Sequence, residues 1–580
     1  MSAATPSSAR SRQIGLRQHY SRWQSFRAGM YGRLPLIFES LIALALIVLI
    51  LFVDIFFFLH HGATDIGGAL IATLSLLALQ TPNIGHNDQG GIVLLVVNVL
   101  FSILFAQSIL NSLRVLFRKR SVAVQQLGLA STLRDHIIVC GLGRLQIRVT
   151  ARLVAAGYAV VVLNRGEETS LLRRALAMRV PVVVGDATDP QALQQAGIMR
   201  ARAVLAIIDG DLVDVEIALA VRSIRPDIRV ILRAFNEDFD RGLEHVFGPN
   251  TAFSSSALAA PTFAVAAITR NVEQVLQLDD ALLMVIPVDV PAQWQGVRAL
   301  EESYGVRVLA QTSGKTTKRV FLLCTLAAFT ALRNQHAIPE GEMEAIPLAV
   351  EPARDRVIIC GLGKIGYRVV KLLHAMEPRP HIVVVHPNDG ERSFSDEINE
   401  LGDIEVILGD AREERILRQA GIDRAITVAA LTSDDEINVQ VGLTARRLDG
   451  QIHVVLRVFQ KHLAEKLVEL FGIHTAFSMT DIASATLASA GILAGITRAF
   501  YVNDQLYAVT EVVAQPNGPL VGRSVDDLCD RYHVQVLGIT HAGQRTSLPT
   551  YATMVAAQDV VLVTAPIEVL AIFRQKIIGI

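Results

Sequence analysis

The chain has 580 residues, room for about four domains that each bury a full core, which excludes small scaffolds stapled by disulfides or metals. Apolar residues make up 51% and charged residues 19%, too apolar for intrinsic disorder, and a formal charge of −1 gives no electrostatic case for nucleic-acid binding. The four cysteines, Cys140, Cys324, Cys360 and Cys529, show no CxxC or zinc-ligand spacing. Cys140 and Cys360 each end an apolar run and read as buried, inert thiols.

Residues 1–33 carry Arg10, Arg12, Arg17, Arg22, Arg27 and Arg33 and no acid. With Trp23, Phe26 and Tyr31 this stretch reads either as an interfacial helix on the inner leaflet or as a basic tail. Pro35–Leu59 is apolar, without a charge from Ser40 to Val53. As a helix it reaches about 37 Å, enough to cross a bilayer, and it is too long and starts too late for a cleaved signal peptide. Asp65–Gln80 is a shorter apolar piece of 16 residues, followed by the polar, turn-like Thr81–Gly85. Two readings stand for it: a re-entrant helix capped by Asp65, or an extracytoplasmic hairpin packed on its neighbours. A second long run, Gly91–Phe117, is punctuated by Asn98, Ser102, Gln107, Ser108, Asn111 and Ser112, so one face turns to water or to partner helices. It leads into Arg114, Arg118, Lys119 and Arg120, whereas the loop between the two runs holds Asp65 and Asp88 and no Lys or Arg. The positive-inside rule then places both termini in the cytoplasm of a multi-pass protein of the cell inner (plasma) membrane.

The remainder is an internal repeat. Arg134–Arg144 reads RDHIIVCGLGR and Arg354–Lys364 reads RDRVIICGLGK, 220 residues apart. Gly185-Asp186-Ala187 returns as Gly409-Asp410-Ala411, and Thr251-Ala252-Phe253-Ser254 as Thr475-Ala476-Phe477-Ser478. Such self-similarity implies a duplicated fold. In the first copy strands are predicted at His136–Cys140, Ala159–Leu163, Val180–Val184, Ala203–Ile208 and Val230–Arg233. In the second they are predicted at Arg356–Cys360, Ile382–Val385, Glu405–Leu408, Ala425–Ala429 and His453–Arg457. Continuous apolar strands alternating with helices predict a Rossmann-like α/β core with a buried parallel sheet. Residues 255–275 and 479–499 are Ala-rich helical connectors suited to close packing, including crossing between subunits. They lead into small α/β lobes at 281–348 and 506–575, matched through Trp294-Gln295-Gly296-Val297 and Leu520-Val521-Gly522-Arg523.

Strand, GxG and helix together open a dinucleotide-binding fold. The second copy has all three glycines, Gly361, Gly363 and Gly366; in the first, Gly141 and Gly143 are followed by Gln146, which weakens the site. The acid that ordinarily holds a ribose after the second strand is replaced by Asn164 and Arg165 in one copy and by His386 and Pro387 in the other. Asn164 and His386 can still bond a ribose, and Arg165 an extra phosphate. Asp186 and Asp410 follow the third strand, within reach of a ribose or adenine, and Arg233 and Arg457 end the fifth, within reach of phosphate. NAD(H) or an adenine nucleotide is the expected ligand. The acids Asp209, Asp211, Asp214 and Glu216, and likewise Asp434, Asp435 and Glu436, leave calcium or magnesium open beside a plain helix-start reading. No GxSxG, HExxH or P-loop is present, so no enzyme is expected.

These motifs resemble the ligand-gated potassium-channel group with two transmembrane helices, a pore helix and tandem regulator-of-potassium-conductance (RCK) domains of the TrkA-N and TrkA-C type. The resemblance spans roughly residues 35–575. It implies a basic N-terminus (1–33), a two-helix pore domain (34–120), a linker (121–134), a first core with connector (135–275) and lobe (276–350), and a second core with connector (351–500) and lobe (501–580). It further implies a homotetramer in the lipid bilayer with an eight-domain cytoplasmic ring, gated by a small-molecule or ion ligand, and Gln107, Ser108 and Asn111 near the pore mouth. The filter departs from the family: where a TVGYG-like loop stacks carbonyls, this chain has Gln80, Thr81, Pro82, Asn83, Ile84 and Gly85. One glycine and a φ-locked Pro82 do not support alternating carbonyl geometry. Two functions follow: a ligand-gated, cation-permeable channel, or a non-conducting membrane-anchored sensor or regulatory subunit of a transporter.

Overall fold

The computed structural model describes Asp65 and residues 125–578 apart from 167–169, 209, 234–236, 270–271, 280, 294–295, 313–315, 335–353, 388–393, 460–462, 465 and 468–474. The spans, the re-entrant piece, Gln80–Gly85 and Gln107, Ser108 and Asn111 lie outside the described residues. Among the described residues no helix is long and apolar enough to cross a membrane. The chain separates into two compact units. In the smaller, the Gln126 side-chain carbonyl accepts a 3.3 Å hydrogen bond from the Val182 N–H. The larger holds nearly everything from Asp135 onward.

The first core comprises β1 (His136–Cys140), β2 (Val160–Asn164), β3 (Val182–Val184), β4 (Ala201–Ala206), β5 (Arg229–Arg233) and β6 (Ala252–Phe253), with β3 falling in the smaller unit. Within the larger unit its strands lie in the order β2-β1-β4-β5-β6, all parallel. All five residues of β1 are buried, as a sheet covered on both faces requires. The first lobe is an antiparallel sheet of β7 (Gln274–Leu278), β8 (Ala281–Pro291), β9 (Arg307–Gln311) and β10 (Thr317–Thr325), ordered β7-β8-β10-β9.

The second core repeats the first with β11 (Arg356–Cys360), β12 (His381–His386), β13 (Glu405–Leu408), β14 (Ala425–Ala430), β15 (His453–Val458) and β16 (Thr475–Ser478), ordered β13-β12-β11-β14-β15-β16. The registers correspond: Ile138 faces Val161 as Ile358 faces Val383. The second lobe has β17 (Ile496–Val502), β18 (Gln505–Val513), β19 (Gln535–His541), β20 (Gln544–Ser547) and β21 (Val560–Pro566), ordered β17-β18-β21-β19-β20. Both lobes therefore begin earlier than their sequence texture predicts, at Gln274 and Ile496. Their sheets share one apolar core, with Leu283, Val285 and Leu323 packed among Phe500, Val502 and Val509. The fully buried Arg307 donates to the Pro549 carbonyl across that junction.

Five helices matter for the site: α1 (Arg144–Ala155), α2 (Ser255–Ala266), α3 (Lys364–His374), α4 (Asp435–Leu448) and α5 (Met479–Ile492). The connectors α2 and α5 are apolar nearly all round, with Asp481 of α5 the charged exception, each started by a serine side chain, Ser254 accepting from the Ala257 N–H and Ser478 from the Asp481 N–H. A helix with no polar face must be enclosed, and these two exchange partners within the chain. Ala260, Phe263 and Ala264 of α2 pack against Ile365, Val369 and Leu373 of α3 in the second core. In return α5 packs on α1 of the first. The carbonyls at the far end of α2 are held by the second core, Ala267 by the Thr427 hydroxyl at 2.7 Å and Ala266 by His453 Nε2 at 2.9 Å. Those at the end of α5 are held by the first, Ala490 by Arg229 at 2.7 Å and Ile492 by Arg202 at 3.2 Å.

Candidate functional site

Each core presents its glycine turn at the carboxyl end of its central strand, where the strand order reverses and an α/β sheet opens its crevice. Gly141 and Gly361 take φ of +86° and +102°, a conformation that glycine adopts without strain. A Cβ on Gly361 would also meet the Thr432 backbone nitrogen at 3.0 Å. Gly143 and Gly363 then start α1 and α3, with no side-chain cap and no acid in either first turn. First-turn N–H groups in such a position favour an anion.

The two turns differ in what fills them. Among the described residues nothing lies within 4 Å of a Cβ placed on Gly363. A Cβ on Gly366 would drive into the Gly361 carbonyl, so the third glycine is a steric requirement of this turn. In the first core Gln146 stands at that position and is buried. Its Nε2 donates to the Ile207 carbonyl at 2.5 Å, which turns Oε1 back over Gly143, at 2.5 Å from where a Cβ would sit. The carboxamide occupies the gap that glycine leaves.

The acids of the crevice are ion-paired. Asp186 accepts from the Thr188 N–H at 3.0 Å and hydroxyl at 2.9 Å, and from Arg165 at 2.9 Å. The Thr188 N–H foremost, with Arg165 in support, holds its carboxyl below the usual carboxylate range. Asp410 is gripped instead by Arg412, two residues on, through Nε at 2.9 Å and a terminal nitrogen at 2.6 Å, and the guanidinium lowers its pKa. Arg412 stands where the first copy has Thr188, a difference visible on aligning the copies but not in either alone.

His386 is buried at the end of β12. Its Nδ1 lies 2.7 Å from the Pro387 carbonyl, so Nδ1 carries the proton, and Nε2 accepts from the Ser395 hydroxyl at 3.0 Å. Both nitrogens are thus engaged inside the protein. Asn164 ends β2 half-buried, and Arg233 ends β5 half-buried. Arg457 is 9% exposed, donates to the Leu431 carbonyl at 3.3 Å, and keeps an Nε without an acceptor among the described residues. Burial lowers its pKa to about 10. Its guanidinium lies 5.2 Å from the Phe459 ring, and Arg144 of the first core lies 4.9 Å from the same ring. Sequence reasoning missed this junction, because nothing in the repeat marks residues of different copies as neighbours.

Three of the acids singled out in the sequence serve as structural acceptors. Asp214 accepts from the Ile208 N–H at 2.7 Å, Asp434 from the Glu436 and Ile437 N–H groups, and Asp435 from the Phe459 N–H at 3.0 Å. Among the described residues no three His, Cys, Asp or Glu side chains form a metal-binding group, so nothing supports the calcium reading; Asp209 and the Asp211 side chain lie outside the described residues. Asp214, Asp434 and Asp435 are thus each bonded to backbone donors. Cys140 and Cys360 are buried, and burial raises both thiol pKa values, that of Cys360 to about 12. A cleft of about 860 Å³ lies apart from the turns, lined among others by Asp289, Arg319, Asp481 and Tyr501.

The TrkA-N domain family matches residues 137–255 and 357–479, and the TrkA-C domain family matches 509–577. The Trk system potassium uptake protein TrkA homolog of Archaeoglobus fulgidus is 23% identical over 452 residues, 74% of this chain and 97% of that protein. The voltage-gated potassium channel Kch of Escherichia coli is 33% identical over 101 residues, 17% of this chain and 24% of that protein. The solved GsuK channel is 18% identical with a TM-score of 0.49, over 93% of this chain and 99% of that one. The chain therefore carries two TrkA-N domains followed by a TrkA-C domain and is homologous to potassium-channel and Trk proteins.

Proposed function

We propose that this chain is a membrane-embedded, ligand-gated cation pathway, potassium-like in its substrate, controlled by a nucleotide bound at the TrkA-N cores. The observation that carries the reading is the unobstructed glycine turn Gly361–Gly366, opening an uncapped helix at the sheet crevice, in a chain that also holds two membrane-length apolar runs. In this reading Pro35–Leu59 and Gly91–Phe117 span the bilayer with both ends cytoplasmic, and Asp65–Gln80 re-enters between them. Four copies set eight cores in a ring, and residues 114–133 pass its movement to the second span. No residue performs a catalytic step. A ligand shifts such an equilibrium only by its differential affinity for the two ring shapes.

The single glycine and Pro82 between Gln80 and Gly85 favour a second reading, a non-conducting sensor or regulatory subunit of a transporter. Ion flux through the purified protein in liposomes separates the two. Potassium, sodium and chloride gradients are compared, with NAD(H), ATP, ADP and AMP added in turn. Nucleotide-dependent flux that Thr81→Trp abolishes supports the channel. Nucleotide binding without flux under any gradient supports the sensor, and absence of both overturns the proposal.

A further inference from the structure

We propose that only the second core seats a nucleotide phosphate, and that Gln146 closes the equivalent seat in the first. The inference rests on the nucleotide reading above and concerns which of the two crevices is used. In a dinucleotide turn the second glycine has no side chain so that the phosphate approaches the backbone and the helix N–H groups directly. At Gly363 that space is open, with no atom of the described residues within 4 Å of the Cβ position. At Gly143 the same space holds Gln146 Oε1, 2.5 Å from the Cβ position.

The orientation of the carboxamide is fixed by chemistry. Nε2 faces the Ile207 carbonyl, which only accepts, so the oxygen is the end that faces Gly143. An anion arriving there meets lone pairs where it needs donors. The side chain is also 5% exposed, so expelling it breaks a buried hydrogen bond and orphans the Ile207 acceptor. The neighbouring cation is committed elsewhere: Arg144, which directly follows Gly143, lies over the Phe459 ring of the second core.

The second crevice has the opposite character. Gly366 removes the side chain that would fill the turn. The Nε of Arg457, nine-tenths buried at the ends of β14 and β15, has no acceptor among the described residues. Through its bond to the Leu431 carbonyl this guanidinium sits beside Thr432, the residue against which Gly361 is packed. A buried cation with an unused donor, next to an open glycine turn, is chemistry that an anionic phosphate satisfies.

The test is the binding stoichiometry of the full chain in detergent, by calorimetric titration with ADP and with NADH. The wild type is expected to bind one nucleotide per chain. Gly363→Val, whose Cβ meets no atom of the described residues and whose φ of −82° is ordinary, is expected to fold and lose that binding. Gln146→Gly restores the three-glycine turn in the first core and is expected to raise the count to two. Gln146→Ala, which removes the carboxamide while keeping a Cβ, tests the plug if the glycine variant unfolds, and is expected to reveal a weaker second event. Two nucleotides per wild-type chain overturn the assignment and leave the nucleotide reading standing. So does a count of one in a folded Gln146 variant, or binding that survives Gly363→Val. Failure of the wild type to bind either nucleotide overturns the nucleotide reading itself, and this assignment with it.

Discussion

Replacing Gly366 by Ala sets two effects against each other whose signs differ. Gly366 lies in the first turn of α3, so the substitution removes backbone freedom from the unfolded chain and raises helix propensity, a gain of about 1 kcal/mol at most. The added methyl, however, drives into the Gly361 carbonyl oxygen, with the carbonyl carbon at 3.1 Å. That carbonyl cannot step aside alone. Gly361 is held on its other face by Thr432, and its N–H donates to the Val385 carbonyl at 2.8 Å. Overpacking against a fixed neighbour costs about 1–3 kcal/mol, and backbone on both sides places this case near the upper end. The net expectation is a destabilisation of about 2 kcal/mol, close to a 30-fold rise in the opening equilibrium of the second core. A chain of several domains does not unfold in one step, so the readout is native-state hydrogen exchange along β11 and α3. Gly242 supplies the control: it lies inside the helix Glu237–Phe247 with nothing within 4 Å of its Cβ position, and Gly242→Ala is expected to stabilise that helix by about 0.5–1 kcal/mol. If Gly366→Ala protects α3 as Gly242→Ala protects its helix, the steric account of the third glycine is wrong.

Four further outcomes are expected. Phe263 is fully buried on α2 and meets Phe477 edge-on at 5.6 Å, so Phe263→Ala should cost about 3–5 kcal/mol, read as lost exchange protection in α3 of the other core. Asp481 pairs with Arg148 at 2.9 Å and Arg152 at 2.5 Å where α5 crosses α1; Asp481→Ala should cost about 2 kcal/mol, and a double-mutant cycle with Arg152→Ala should be non-additive. Arg229→Met leaves the Ala490 carbonyl without its donor and should cost about 1–3 kcal/mol in the same crossing. Asp410 has a folded pKa below its unfolded value, so its contribution is complete above the ordinary carboxylate range and is lost as pH falls through the lowered value; Asp410→Asn should flatten the acid limb of a melting-point profile, and an unchanged limb would contradict the pairing with Arg412.

The strands were legible because they are enclosed on both faces. An unbroken run such as Ile137–Cys140 has no solvent-facing position to interrupt it, and its end is marked by a glycine turn. Boundaries moved by one or two residues, as at Ala201–Ala206, where buried residues continue the pattern past the last strand bond. The connectors were legible as helices but not in their destination. An alanine face packs on any close surface, and the sequence of α2 contains nothing that names α3 rather than α1. The site residues were legible as positions rather than as states. Reading His386 at the ribose position does not reveal that Ser395 and Pro387 occupy its ring. Reading Gln146 in place of glycine does not reveal that its carboxamide bends back over Gly143. Rotamer choice depends on the Ile207 carbonyl, which is 61 residues away in the chain.

The exchange of connectors has a consequence for how a ligand in one core is felt elsewhere. In the proposed reading a phosphate at Gly361–Gly366 would act on the start of α3, and the face of α3 carries α2 of the first copy. That helix leads into the first lobe, and the Val275 N–H on β7 donates to Thr262 of α2 at 3.0 Å. The corresponding link in the other half joins the Ala499 N–H on β17 to Thr486 of α5 at 2.9 Å. α3 therefore leans most directly on the helix that leads to the lobe of the opposite copy, although Ile482 of α5 joins the same cluster. The two lobes share one apolar core, so neither moves without straining the other. Coupling of this kind needs a discrete rearrangement that both ends bias. The polar bonds Thr262–Val275 and Thr427–Ala267 lie along this route. Thr262→Val keeps the shape and removes the first bond, so it should reduce the nucleotide's effect on lobe exchange protection while leaving its affinity for the second core within a few-fold of wild type. An undiminished effect would route the coupling through the sheets instead of the exchanged helices.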